Sequence, residues 1–432
     1  MEASALVDAE RAKPAPDRAR LTTLDADLIS ARAVRDAYIT NLFAQRPDLR
    51  LSSGRTAGLT PAQLTRVLSP GTAIVSFVLE DHTSWVYVAT AGANGPVVTA
   101  HALPKGNDRL LATTAKFVAQ VASRDLGFSA TARESYDLLL GPAEARLRGI
   151  THVVIIPDGP LWQLPFQALQ TPRGRFVIEE RAVSYAPSIA ALVALEERRR
   201  SRPTSAPSLF ALGNPVFPAS TASTASASVA GDAPQRGEAQ SRLPESGREV
   251  RALRTLYGAS RSTVVTDAGA SEAALRTGAS RATVVHLATH GVLDDKSPMY
   301  SHLLLAPGPG TSANDDGKLE AWEVMEMGIT ADVAVLSACE TAGAGAGYGE
   351  GLMGLSWSLF ASGASTAVVS QWAVDSSSTT ALMLVFHRNL LAARVRDGAP
   401  ARALRQASLS LLRQSKYRHP FYWAGFVSIG AK

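Results

Sequence analysis

Two residues of this chain have side chains and surroundings that suit covalent catalysis: Cys339, its single cysteine, and His290. Each follows a short strand-like segment, 333–336 before the cysteine and 283–287 before the histidine. A thiol attacks a carbonyl as the thiolate, and at its usual pKa of about 8.5 only a few per cent is ionised near neutral pH. A neighbouring imidazole accepts the thiol proton and later protonates a leaving amine. The pair therefore predicts nucleophilic attack on an acyl group.

Each of these residues also has an inert interpretation. A free cysteine is among the residue types most often buried as a small hydrophobe, and a loop histidine often only forms hydrogen bonds. The context of Cys339 and His290 favours catalysis, because both follow predicted strands within turns rich in Gly, Ala, Ser and Thr. Small side chains at such turns leave room for the backbone of a substrate.

The elements that must position the pair alternate between strand and helix. Strands are predicted at 283–287, 333–336 and 365–371, and helices at 246–257, 271–277, 351–362, 376–391 and 398–414. Alternation at this spacing indicates a mostly parallel sheet with helices on both faces. Reactive groups in such sheets gather at the carboxyl ends of the strands, where both residues are expected.

The first half of the chain has a different pattern. It begins with a predicted amphipathic helix at 21–45, followed by a strand meander at 73–78, 84–88 and 96–98, helices at 107–123 and 130–147, a buried strand at 152–156 and a further strand at 208–212. Residues 218–245 are dominated by Ser, Thr, Ala, Gly and Pro, which predicts a mobile linker because little apolar surface offsets the entropy of ordering.

Composition excludes several classes of protein. The 432 residues are 46% hydrophobic and 19% charged, which is typical of a globular chain long enough for two domains or halves. No apolar run approaches a membrane span, and the N-terminus lacks a signal-peptide core. The net charge of +5 is scattered, and its one dense run, at 198–202, is interpreted as a solvated helix end. We therefore expect a cytoplasmic protein that binds neither membrane nor nucleic acid.

Several segments resemble the CHAT-domain peptidases, bacterial relatives of caspases and separase. The histidine segment 286–291 reads HLATHG and the cysteine segment 336–342 reads LSACETA. Further similar segments are 349–352 (GEGL), 354–355 (GL), 368–375 (VVSQWAVD), 419–426 (HPFYWAGF), 154–161 (VIIPDGPL) and 164–166 (LPF). The resemblance covers residues 60–432. Many members of the family have helical repeats ahead of this domain, which this chain lacks.

The resemblance implies a caspase-like α/β fold in which a degenerate half precedes a catalytic half. The expected division is a helical segment at 1–60, an inactive half at 61–205 and a catalytic half at 206–432. It also implies that Cys339 is the nucleophile, that His290 is the base and acid, and that the backbone N–H groups of Gly291 and Cys339 form the oxyanion hole. No cofactor is implied, and the expected partners are a protein substrate and a regulatory or effector protein in defence or cell death.

The resemblance also places the strand after the nucleophile's helix beside the bound peptide. Gln371, Trp372 and Asp375 are therefore candidate substrate-binding residues. A carboxylate at 375 would select Arg or Lys before the scissile bond, and Arg236 or Arg242 in the linker would then be sites of self-cleavage. The alternative is that Asp375 caps the helix beginning near Ser376.

Three competing functions depend on other features. His286 and His290 are four residues apart, as in some metal pairs, but the strand-like context and the missing glutamate of a zinc helix favour a hydrogen-bonded His286 and no metal. Residues 349–354 spell G-x-G-x-x-G with Asp375 about 20 residues onward, as in nucleotide-binding oxidoreductases, yet they do not directly follow a strand. A caspase-like scaffold without activity is the third, and the presence of both dyad residues argues against it.

Overall fold

The computed structural model describes residues 6–7, 10, 13, 17–45, 59–80, 82–104, 107–203, 205–217, 242–294, 297–308, 315–337, 350–393 and 398–432, with backbone alone at 32, 35–45 and 350–353. Two compact units are present, one of residues 1–57 with 312–314 and one of the remainder. The described part of the first unit is mainly a helix, Arg18–Gln45, and Glu10 forms ion pairs with Lys13 and Arg20 near its start.

The helices and strands of the described residues agree closely with the predicted ones. The helices are α1 Arg18–Gln45, α2 Pro61–Val67, α3 Asn107–Ala122, α4 Phe128–Leu139, α5 Val177–Glu180, α6 Ile189–Ser201, α7 Pro244–Tyr257, α8 Glu272–Ala279, α9 Ala321–Glu326, α10 Glu350–Ser362, α11 Ser376–Ala392 and α12 Ala399–Leu412. The strands are β1 Thr72–Val78, β2 Trp85–Gly92, β3 Gly95–Ala102, β4 His152–Ile156, β5 Ala182–Tyr185, β6 Leu209–Pro215, β7 Ser262–Asp267, β8 Val284–Ala288, β9 Gly291–Val292, β10 His302–Leu304, β11 Lys318–Glu320, β12 Val333–Leu336, β13 Thr366–Ser370 and β14 Phe426–Gly430.

Eleven of the described strands form one sheet in the order β3-β2-β1-β4-β5-β14-β13-β12-β8-β6-β7. Pairing is parallel from β1 through β4 and β5 to β14, and again from β13 through β12, β8 and β6 to β7. It is antiparallel in the meander β1-β2-β3 and between β13 and β14. The prediction of a mostly parallel sheet is therefore confirmed.

The central strands are buried along their whole length. Every residue of β4, β5, β6, β8, β12, β13 and β14 is inaccessible to solvent. Burial of both faces explains why these segments are continuous apolar runs without polar alternation. Helices cover both faces of the sheet. The carboxyl ends of the parallel strands β8 and β12 lie at the same edge of the sheet, and the predicted reactive residues follow these two strands in the sequence.

Two details differ from the sequence prediction. The helix expected at 130–147 ends at Leu139 and a 3-10 segment, Gly141–Leu147, follows, because Pro142 cannot continue an α-helix. Helix α7 begins at Pro244, so the last residues of the predicted linker belong to it, and residues 218–241 lie outside the described residues. Among the described residues, no helix is long and apolar enough to cross a membrane.

The arginine run at the end of α6 is not the solvated helix end that its sequence indicates. Arg202 donates to the carbonyl oxygen of Ala331 at 2.7 Å and also to that of Gly363. Arg198 donates to the carbonyl oxygens of Phe360 and Ala364. Three of these acceptors, Phe360, Gly363 and Ala364, lie in the last turn of α10 or directly after it, and Ala331 precedes β12. The carbonyls of a last helical turn lack their usual helical donors. The run therefore fastens α6 to the helix that follows the predicted nucleophile.

Candidate active site

The strands that precede the predicted dyad lie side by side. In the parallel pair β8 and β12, Leu287 is opposite Leu336, and the Ser337 N–H donates to the Leu287 carbonyl at 2.8 Å. His290 follows Leu287 by three residues, and Cys339 follows Leu336 by the same number. Neighbouring strands are about 4.8 Å apart. Cys339 itself lies outside the described residues, so its contact with His290 stays a prediction.

His290 is held at the start of a small sheet. Its carbonyl oxygen accepts a hydrogen bond from the Leu304 N–H at 2.9 Å, and Gly291 pairs with Leu303 of β10. The side chain is 6% exposed, and its ring centroid lies 5.5 Å from that of Phe217. Backbone pairing on one side and an aromatic ring on the other restrict the imidazole, which suits a group that must transfer protons in a fixed direction.

His286 has a different role from His290. It is fully buried, its Nε2 lies 2.7 Å from Glu249 Oε1, and its Nδ1 lies 3.1 Å from His387 Nε2. Both ring nitrogens are thus engaged within the core, as the hydrogen-bonding interpretation of His286 predicted. A metal shared with His290 would need one of those nitrogens. Among the described residues, no group of three or more His, Cys, Asp or Glu side chains could hold a metal ion.

A buried polar chain continues from His286 across two helices. His387 Nδ1 lies 3.0 Å from the Tyr257 hydroxyl, and Thr380 donates to Glu249 Oε2 at 3.2 Å. Burial and the neighbouring His286 hold the pKa of His387 well below its ordinary value, so this ring is neutral. Burial also raises the pKa of Tyr257. Beyond His286, no sequence pattern indicates this buried polar chain, because the partners of His286 come from the distant helices α7 and α11.

Gln371 and Trp372 lie directly after β13, beside β12. The Gln371 side chain donates to the Trp162 carbonyl at 2.8 Å, and its Oε1 is buried without a partner among the described residues. Trp372 is 4% exposed and donates to the Phe421 carbonyl at 3.3 Å. Trp372 is therefore part of the core, whereas Gln371 keeps an unused acceptor near the carboxyl edge of the sheet.

Asp375 performs the capping role that its position allows. Its Oδ1 accepts a hydrogen bond from the Ser378 N–H at 2.8 Å, which makes it the N-cap of α11. The side chain is half-buried. One carboxylate oxygen is committed to the cap, so selection of a basic substrate residue by Asp375 depends on its other oxygen and stays a prediction.

Close packing explains Gly354, the last glycine of the G-x-G-x-x-G segment. A Cβ on Gly354 would lie 2.4 Å from the Pro298 carbonyl oxygen, a contact that no other residue type could tolerate. The helix thus lies directly against the turn Pro298–Tyr300. Close packing accounts for Gly354 without a phosphate ligand, and Gly349 lies outside the described residues.

A mostly parallel sheet flanked by helices, with a histidine at the end of β8 beside β12, defines an α/β protein of the caspase-like class. Residues 129–431 match the CHAT domain family, and the chain belongs to this family. Its fold is similar to a chain of the Saccharomyces cerevisiae separase–securin complex, with a TM-score of 0.51 and 8% identity over 88% of this chain and 30% of that chain. A second structure of that yeast complex gives a TM-score of 0.49 and 9% identity over 88% and 31% of the two chains.

These likenesses have defined limits. The chain spans less than a third of the length of the separase-complex chain, and at 8% identity the similarity concerns the fold alone. No curated protein matches the sequence. The family match shows the domain to which the chain belongs, while its activity, substrate and partners are subjects of the proposal below.

Proposed function

We propose that the protein is a cysteine endopeptidase with Cys339 as nucleophile and His290 as general base and acid. The observation that carries the proposal is the parallel pairing of β8 with β12. Leu287 and Leu336 are paired across these strands, and His290 and Cys339 each follow one of them by three residues in the sequence. The small residues of both turns and the family membership support it. The backbone N–H groups of Gly291 and Cys339 are the proposed oxyanion donors.

The proposed reaction proceeds through a thioester. The imidazole of His290 takes the proton from Cys339 Sγ, and the thiolate attacks the carbonyl carbon of the scissile peptide bond. The oxyanion that forms accepts hydrogen bonds from the two N–H groups, a contribution of about 3 kcal/mol for each donor. Collapse breaks the C–N bond as His290 protonates the leaving amine. Water, deprotonated by His290, then hydrolyses the thioester and releases the acid.

Recognition of the substrate is proposed to involve the segment after β13. Gln371 has a buried oxygen without a partner among the described residues, which would accept a hydrogen bond from a peptide N–H. Asp375 has one carboxylate oxygen outside the cap, which supports preference for Arg or Lys before the scissile bond. An Asp375→Asn variant should keep the cap and lose that preference in a peptide library, and a profile led by Leu, Met or Asp would remove Asp375 from the pocket.

A protein partner is proposed from the same comparison. The structure of similar fold is that of a separase–securin complex, and we propose that a regulatory or effector protein also controls this peptidase. A reactive thiol is preserved in a reducing compartment, which supports the cytoplasm as its location. The alternative, a caspase-like scaffold that binds partners without cleaving them, predicts an inert Cys339.

Thiol labelling separates these two functions because the chain has one cysteine and therefore no background. The rate of alkylation of Cys339 by iodoacetamide should exceed that of a free thiol at pH 6, and His290→Ala should abolish the excess. The exposed His82→Ala is the matched control and should label as the parent does. Equal rates in the parent and in His290→Ala would leave the scaffold as the function.

Activity provides the second test. Cys339→Ala or His290→Ala should each lower peptide cleavage by about 10⁴-fold or more, since members of a catalytic unit fail together. Chelators should not affect cleavage. A folded Cys339→Ala variant that still cleaves at the parental rate would overturn the assignment.

A further inference from the structure

A groove of about 940 Å³ lies away from the candidate active site. It is between α12 and a short hairpin, residues 170–176, whose ends pair through Gln170 and Phe176 directly before α5. One wall contains Phe176 and Arg175 of the hairpin, and the other contains Arg405 and Leu409 of α12. Helix α12 packs on β5 and β14, which are four and three strands from β8 in the sheet. At about 4.8 Å per strand, the strands beneath α12 are roughly 14–19 Å from β8, the strand that precedes His290.

The lining of the groove is strongly positive. Among the described residues that line it, four are arginines, at 175, 405, 413 and 418, and one is acidic, Glu179. Glu179 already accepts a hydrogen bond from the Phe176 N–H at 2.7 Å. No described carboxylate pairs with Arg175, Arg413 or Arg418, although other surface arginines of the chain do form such pairs. Like charges that converge without counter-ions repel each other, and a bound anion would relieve that repulsion.

Arg405 gives the groove a fixed inner charge. Its Nε donates to the Ile178 carbonyl at 2.7 Å and its terminal nitrogen to the Glu179 carbonyl at 2.6 Å. Arg175 lines the same groove, and it and burial lower the pKa of Arg405. Arg175, Arg413 and Arg418 are exposed around this inner residue.

Apolar side chains alternate with these charges. Leu409 and Leu412 are four and seven residues after Arg405, so the three share one face of α12. Seven residues of helix span about 10 Å, the length of three extended peptide residues at about 3.3 Å each. At the rim, the side chain of Leu126 is 83% exposed. A wall of this length with both leucines and arginines fits an elongated ligand better than a single small anion.

We propose that this groove binds an acidic peptide segment of a partner protein, with its carboxylates on Arg175, Arg413 and Arg418 and its apolar side chains on Leu409 and Leu412. The site is separate from the dyad, and its occupancy does not depend on peptidase activity. Rim charges of this kind mainly set association rate and salt dependence, while the apolar contacts supply the remaining affinity.

The test uses the full chain with Cys339→Ala, so that no bound peptide is cleaved. An array of 12-residue peptides would alternate fixed glutamates with randomised apolar residues, each spotted beside a copy with glutamine in place of glutamate. Hits would be measured in solution by fluorescence anisotropy at low and high salt. Glutamate peptides should bind and their glutamine copies should not, and affinity should fall as salt rises.

Charge reversal locates the binding. Arg175→Glu combined with Arg413→Glu should weaken the binding of the best peptides by about tenfold or more. Arg254→Glu combined with Arg388→Glu, an exposed double change of equal charge on α7 and α11, should leave it unchanged. Circular dichroism would verify that the variants fold. Glutamate peptides that bind no better than glutamine copies, or binding that survives the double reversal, would overturn the proposal. Displacement of the peptide by millimolar inorganic phosphate would assign the groove to free anions instead.

Discussion

Glu249 is the carboxylate on which the buried polar chain beneath β8 depends. It is 2% exposed and accepts hydrogen bonds from His286 Nε2 at 2.7 Å and Thr380 Oγ1 at 3.2 Å. One arrangement of donors and acceptors satisfies every group: Tyr257 donates to His387, His387 to His286, and His286 to Glu249. Replacement of Glu249 by alanine would remove the final acceptor of this sequence of donors.

The cost of Glu249→Ala follows from the groups it leaves behind. The fully buried His286 N–H would lose its acceptor, at about 1–3 kcal/mol, and the half-buried Thr380 hydroxyl would lose a hydrogen bond of about 1 kcal/mol. We therefore expect the free energy of unfolding to fall by about 2–4 kcal/mol. Glu249→Gln keeps an oxygen toward His286, and its expected cost is about 1 kcal/mol.

Urea unfolding monitored by far-UV circular dichroism would measure these differences. Glu245→Ala is the matched control, since it lies one turn earlier on α7 and only pairs with the exposed Arg248. Its effect should be below about 0.5 kcal/mol. If Glu249→Ala cost no more than Glu245→Ala, or if Glu249→Gln cost as much as alanine, the hydrogen-bonded chain would not be a source of stability.

Three other expectations concern single residues. Burial lowers the pKa of His152 to about 3, so the free energy of unfolding should fall by up to about 1.4 kcal/mol per pH unit as pH drops from 6.5 toward 3. In His152→Gln, the free energy of unfolding measured across this pH range should vary less. Burial and the neighbouring Glu323 raise the pKa of Glu272 to about 8, so its stability contribution is lost as pH rises from 4.5 through 8, and Glu272→Gln should unfold at a higher temperature than the parent at pH 9. Arg202→Ala removes the hydrogen bonds to the carbonyls of Ala331 and Gly363, here called the arginine clamp, and should lower the unfolding free energy by about 1.5–3 kcal/mol. A loss no larger than that of the exposed Arg66→Ala would contradict a stabilising role of this clamp.

The sequence predicted most of the sheet because its central strands are buried on both faces. A strand such as β4 or β12 is a short unbroken apolar run, which no amphipathic helix would produce. The strands that escaped prediction include β5 with four residues and β9, β10 and β11 with two or three, which are too short for a pattern. They also include β7, which has six residues but lies at the edge of the sheet with none of them fully buried. Pairing with neighbours, and not local preference, makes such segments strands.

The part of the candidate site that directly follows a recognisable strand could be predicted from the sequence. The position of His290 beyond β8 could be inferred from the segment itself, since it is an apolar strand followed by a turn and functional residues gather at the carboxyl ends of parallel strands. Partners from distant segments could not be inferred in the same way. Glu249 and His387 are 37 and 101 residues from His286, and both belong to helices whose sequences suggest only a polar face.

The arginine run at 198–202 shows why composition alone misleads at helix ends. Basic residues in a last turn usually interact with their own helix and with water, which is the interpretation that the sequence favours. Here the chain after α6 continues toward β6, and this path brings Arg198 to the carbonyl of Phe360 and Arg202 to that of Gly363, at the end of α10. Charge-assisted bonds to these carbonyls are stronger than neutral hydrogen bonds, and the end of a helix supplies few donors of its own to its last carbonyls. The clamp thus depends on where another helix ends, a fact that lies about 160 residues further along the chain.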